Sequence, residues 1–213
     1  NLGITLQILR KYDEAVEAYK KGTSINPDYA EGFINLGATL DELGNLDEAI
    51  KAYRKALSIK PDYSEAHYNM GNTFKVQGKL DKAIESYDKA LSIRPNFADA
   101  HNNKGSALKD QGKLDEAIEV YNKVLLLNPE NANCYSNIGV AYQEQGNLDK
   151  ALESYKIALD TNPEHLGAHE YLGELYITLG NINKANKMLI KLEEIAGKNT
   201  MEYIKLKKAI DKL

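Results

Sequence analysis

The chain has 213 residues, 43% of them hydrophobic, and its 27 Lys and Arg against 31 Asp and Glu give a formal net charge of -4. That is enough apolar material for a sizeable core, and the interspersed charges supply no large positive field of the kind that attracts nucleic acid. No run of about 18 apolar residues occurs, so no segment can cross a bilayer as a helix.

The single cysteine, Cys134, cannot close an intrachain disulfide, and a lone thiol suits a reducing compartment, so the expected location is cytoplasmic. The chain begins at Asn1 rather than Met, which leads us to expect a fragment or a processed product that a signal or another domain could precede.

All five prolines, Pro27, Pro61, Pro95, Pro129 and Pro163, are 34 residues apart. The same period holds for the glycines from Gly3 to Gly173, for those from Gly44 to Gly180, and for the alanines from Ala15 to Ala185. Three such ladders mark an internal repeat that accounts for nearly the whole chain.

In chain order, residues 1–29 are a unit lacking its first five positions, and complete units follow at 30–63, 64–97, 98–131, 132–165 and 166–199. In the unit 30–63, Phe33, Leu36, Gly37 and Leu40 have the i, i+3, i+4, i+7 spacing of one helix face. After Gly44 and Asn45, Leu46, Ala49, Ile50, Tyr53, Ala56 and Leu57 form the face of a second helix that ends before Pro61. Asp47, like Asp13, Asp81, Asp115 and Asp149, is expected to accept a first-turn N–H of that helix. Gly37 and Ala49 are expected to let the two backbones approach closely. A hairpin of this kind cannot hide its apolar faces alone, so its neighbours must cover them.

The unit 166–199 departs from the pattern, with Leu189 for the tyrosine, Leu192 for a small residue and Gly197 for the proline. The tail 200–213 places Tyr203, Leu206, Ile210 and Leu213 on one stripe, which suits a terminal helix covering the last hairpin, the alternative being a linker helix that leads into another domain.

This pattern of bulky residue, Leu-Gly, tyrosine, alanine and proline at fixed places resembles the tetratricopeptide repeat family, although the family's usual tryptophan is absent throughout. The resemblance implies an all-α fold: a right-handed α-solenoid of antiparallel helix hairpins with a C-terminal capping helix. It also implies a non-catalytic protein-protein interaction scaffold or adaptor, with a protein or extended peptide held in a concave groove. The alternatives are the repeat region of a larger enzyme, for example a glycosyltransferase, and a self-associating scaffold. A nucleic-acid-binding helical array would call for a basic groove.

Opposite the core stripe, position 6 of the first helix of successive units reads Asn1, Asn35, Asn69, Asn103 and Asn137, then Tyr171. Position 9 has drifted, reading Ile4, Ala38, Asn72, Ser106, Val140 and Glu174. Asn in a helix interior costs about 0.5 kcal/mol relative to Ala, so its recurrence asks for a compensating role. A side-chain amide offers donors and an acceptor to an extended backbone, although such amides can equally bond to neighbouring helices. The ladder resembles that of superhelical members of the family. The expected peptide-binding residues are Asn35, Asn69, Asn103 and Asn137, with Tyr68, Asn72 and Asn102 beside them.

The family's basic clamp for acidic C-termini is not matched, because Glu31, Glu65 and Asp99 stand at position 2. These would favour neutral or basic segments, or simply complement a helix N-terminus. His165 and His169 have an i, i+4 spacing that can hold metal, but they occupy packing positions, as do His67 and His101, and no third ligand is apparent. No catalytic residue, metal site or cofactor motif is expected. Glu17 with Lys21, Asp47 with Lys51, Glu85 with Lys89 and Glu119 with Lys123 read as solvated i, i+4 pairs.

Overall fold

The structure, a computed structural model, describes residues 2–213. Thirteen α-helices and no strand are found among the described residues. They are α1 (Leu2–Ile8), α2 (Tyr12–Ile25), α3 (Ala30–Glu42), α4 (Leu46–Ile59), α5 (Ser64–Val76), α6 (Leu80–Ile93) and α7 (Ala98–Asp110). There follow α8 (Leu114–Leu127), α9 (Ala132–Glu144), α10 (Leu148–Thr161), α11 (Leu166–Thr178), α12 (Ile182–Ala196) and α13 (Met201–Ile210). Their contacts gather into two compact units, residues 1–111 and 112–213.

The turn inside every hairpin but the first is set by one glycine. Past α3, Gly44 adopts φ 74°, its N–H donates to the Asp41 carbonyl and the Asn45 N–H donates to the Leu40 carbonyl. This is a Schellman closure, which satisfies carbonyls the helix end leaves open and needs a left-handed residue that glycine adopts without a Cβ clash. In the first hairpin Arg10 takes that place at φ 57°, a conformation that strains an L side chain. The second helix stops where the sequence predicts: Lys60, before Pro61, is extended at φ -132° and ψ 90°.

The helix pairs are locked by an aromatic ring that lies over a glycine. A Cβ on Gly37 would stand 2.5 Å from the Tyr53 ring, and Gly71 and Gly139 face Tyr87 and Tyr155 in the same way. These tyrosines are almost wholly buried. Ala49, Ala83 and Ala151, fully buried beside them, leave room for the rings.

The aspartates do not cap. Asp47 is the second residue of α4, and its Oδ1 accepts from Gln77 Nε2 at 2.9 Å in the following repeat. Asp81 accepts from Gln111 in the same manner at 2.7 Å, and in the second unit Asp115 accepts from Gln145 at 2.8 Å. The expected pair of Asp47 with Lys51 is therefore replaced, and Glu17 meets Lys20 rather than Lys21. Glu85 with Lys89 and Glu119 with Lys123 pair as predicted, at 2.7 and 3.1 Å.

In the second unit α13 packs on α11 and α12. Leu189 cannot cover Gly173 as a tyrosine would, and the fully buried Leu206 does so, with its Cδ2 2.5 Å from where a Cβ would stand. Lys205 adds an ion pair at 3.1 Å to Glu170, which is 3% exposed. Leu213, predicted on the same stripe, lies past the end of α13 and is exposed.

Candidate peptide-binding face

In the first unit Asn35, Asn69 and Asn103 lie on one face of α3, α5 and α7, each half-buried. Their side chains do different things. Asn103 Nδ2 donates to Asn72 Oδ1 at 2.8 Å and to the Tyr68 hydroxyl at 3.2 Å, both on the preceding hairpin. The amides of Asn35 and Asn69 form no such bond among the described residues. The sequence explains why: where Asn72 receives Asn103, the residues one and two repeats earlier are Ala38 and Ile4, which have no acceptor. Asn1, the first residue predicted for the ladder, lies outside the described residues.

Asn69 and Asn72 edge a cleft of about 280 Å³ whose apolar lining includes Ala38, Leu46 and Val76. Below them runs a polar relay that sequence reasoning missed. The Tyr53 hydroxyl donates to Asp41 Oδ2 at 2.6 Å, and the Thr73 hydroxyl lies 2.8 and 2.9 Å from the two Asp41 oxygens. Burial raises the Asp41 pKa above the usual carboxylate value, against the lowering effect of these two hydrogen bonds. One repeat earlier Gln7 stands in for Asp41, accepting from Tyr19 at 2.6 Å and donating to Thr39 at 2.8 Å. One repeat later Lys75 occupies the place, so Tyr87 donates instead to Asn72 Oδ1 at 2.8 Å. The available signal was the recurrence of Thr5, Thr39 and Thr73 within apolar helix stripes, each two residues after the glycine that faces a tyrosine.

Tyr68 is packed more than it is presented. Its ring centroid lies 4.8 Å from that of Phe97 and 6.1 Å from that of Tyr87. Asn102 is half-buried on α7. Of the acidic side chains, Glu65 is neutralised by Arg94 at 2.7 Å and accepts from Ser64, while Glu31 and Asp99 are exposed. Burial pushes the Glu65 carboxyl up, but its own backbone N–H, Ser64 and Arg94 outweigh it and hold the pKa below normal. In the second unit Asn137 is half-buried on α9, and Tyr171, which stands in its place on α11, faces Tyr155 at 6.0 Å between centroids.

The histidines serve as loop fasteners. His67, His101 and His169 point Nε2 at the carbonyls of Pro61, Pro95 and Pro163, at 3.2, 2.8 and 2.9 Å. A carbonyl only accepts, so Nε2 carries the proton, and the buried Nδ1 atoms meet no partner. His165 caps α11 by accepting the Ala168 N–H on Nδ1 at 3.0 Å, and its Nε2 meets Asn133 at 2.9 Å. Cys134 is buried, and burial pushes its thiol pKa up to about 12, away from nucleophilic use. Among the described residues no group of three metal-ligating side chains is found, and no helix is long and apolar enough to cross a membrane.

A family model described as TPR repeat matches residues 9–44, 40–78, 71–112 and 105–146, and one described as Tetratricopeptide repeat matches 132–165. The chain belongs to the tetratricopeptide repeat family. A crystal structure of MamA shares 28% identity with the array over 77% of this chain and 96% of its own, with a TM-score of 0.72. YrrB, described as a TPR protein with an unusual peptide-binding site, shares 26% identity over 91% of this chain and 99% of its own, with a TM-score of 0.66. TTC0263, a thermophilic TPR protein of Thermus thermophilus, has the same fold at 24% identity, covering 85% of this chain and 98% of its own, with a TM-score of 0.68. No curated protein matches the sequence of the array. Arrays of this family are protein-interaction scaffolds.

Proposed function

We propose that the array is a non-catalytic scaffold whose asparagine-bearing face holds an extended peptide segment of a partner protein. One observation carries this reading: Asn35 and Asn69 present amides committed to no other side chain, and Asn69 does so in a cleft lined by Ala38, Leu46 and Val76 together with the polar Asp41, Glu42 and Thr73. Such an amide can pair with the N–H and C=O of a ligand backbone, while Ala38, Leu46 and Val76 receive an apolar ligand side chain. Adjacent hairpins spaced about 8–10 Å apart match about three extended residues per repeat. The peptide-binding site in YrrB's description supports the same class of ligand.

The test is to select twelve-residue peptides from a random library on the intact chain and titrate them against an Asn35→Ala, Asn69→Ala double variant by fluorescence anisotropy. Binding should weaken about tenfold, in line with two lost hydrogen bonds, while the melting temperature is unchanged or higher. Unchanged affinity would remove the ladder from the binding site.

A further inference from the structure

On α3, Phe33 lies two residues from Asn35, about 200° around the helix, so the first unit has a second groove turned away from the ladder. This groove measures about 320 Å³, and Phe33, Leu36, Leu40 and Ala52 are its apolar lining. Phe33 stands where three later hairpins have a histidine that reaches back to a proline carbonyl. A phenyl ring has no N–H to do so, and it stays half-buried beside the groove.

The rim is basic, with Lys20, Lys51 and Lys55 against Glu48. Charge on α4 is distributed unlike that of the other second helices: past Glu48 it carries Lys51, Arg54 and Lys55 and no acid. In α6 and α8 the outer lysines are neutralised by Glu85 and Glu119. In α4 the residue four before Lys51 is Asp47, which Gln77 has already taken. Lys51 and Lys55 consequently form no ion pair among the described residues, and Lys20 has only an exposed contact with Glu17 at 3.5 Å. Unpaired positive charge around an apolar floor, in a chain of net charge -4, selects a ligand that is both negative and apolar.

We infer that this groove is a second docking site, independent of the asparagine face, for an acidic protein segment that inserts a bulky apolar side chain between Lys20, Lys51 and Lys55.

The probe is a fluorescein-labelled peptide of twelve residues with one central Phe among Asp, Glu and Ser, titrated against the full chain by anisotropy. Controls are the same peptide with Ser for Phe, its Lys-for-acid counterpart and a single-stranded oligonucleotide. The acidic Phe peptide should bind best, weaken about tenfold when salt is raised from low to several hundred millimolar, and lose binding to a Lys51→Glu, Lys55→Glu variant. Phe33→His should also weaken it, while Asn35→Ala with Asn69→Ala should leave it unchanged, which separates this groove from the ladder. The inference is overturned if the Ser peptide or the oligonucleotide binds as tightly, or if the charge reversal has no effect.

Discussion

The unequal asparagine ladder makes a quantitative prediction for Asn69→Ala and Asn103→Ala, identical substitutions at the same repeat position. Each gains about 0.5 kcal/mol of helix propensity. For Asn69 nothing offsets that gain, since its side chain holds no other side chain. Asn103→Ala removes two hydrogen bonds, to Asn72 and Tyr68, together worth about 2 kcal/mol before the propensity gain. The net expectation is about 0.5 kcal/mol more stability for the first variant and about 1.5 kcal/mol less for the second. For a chain of this size, that separates the two melting temperatures by about 4–8 °C. Thermal melts by circular dichroism, with urea midpoints as a second reading, are sufficient to resolve this. Placing an acceptor beside Asn69 with Ala38→Asn should reproduce the Asn72 arrangement, raising stability and reducing peptide binding together. If the two alanine variants melt at the same temperature, the assignment of Asn103 to structure and Asn69 to ligand is wrong.

Leu206→Ala should cost about 2–5 kcal/mol locally and expose Leu192 and Gly173, seen as early loss of hydrogen-exchange protection in α11 and α12; an unchanged exchange pattern would mean that α13 is not a cap. Arg10→Gly should relieve about 1 kcal/mol of left-handed strain and slow amide exchange in α1 and α2, and faster exchange there would contradict it. Burial, aided by Lys89, lowers the His67 pKa despite the Pro61 hydrogen bond, so below about pH 6.5 the unfolded chain takes up a proton that the folded one resists. Stability should therefore fall as pH drops from about 7 to about 5, and His67→Phe, which copies Phe33, should flatten that fall; an unaltered slope in the variant would locate the acid sensitivity elsewhere.

What the sequence made legible was whatever repeats with period 34. Gly44 and its counterparts located the turns, Pro61 and its counterparts ended the helices, and Leu189 in place of tyrosine announced that the last hairpin would be covered differently. What it hid were contacts whose meaning depends on a residue one repeat away. Asp47 has the composition of a capping residue, yet its partner is Gln77 thirty residues on. The five asparagines look equivalent until position 9 of the preceding hairpin is considered, where Asn72 offers an acceptor and Ala38 does not. Asp41 escaped notice because its neighbours in the repeat register are Gln7 and Lys75: Gln7 and Asp41 each accept from a tyrosine hydroxyl, whereas Lys75 cannot, and Tyr87 turns to Asn72.

The widest-spaced side-chain hydrogen bond described above, from Asn103 to Tyr68, joins residues 35 apart. Folding of either unit therefore closes only short loops, the condition under which helical chains fold fastest. At about 5–20 residues per second, a ribosome delivers one repeat in roughly 2–7 seconds, so each hairpin meets the successor that covers it almost as soon as it emerges. The hairpin of α11 and α12 is covered in another way: it waits for Leu206, 33 residues beyond Gly173 and so about one repeat's synthesis later, to close over its glycine.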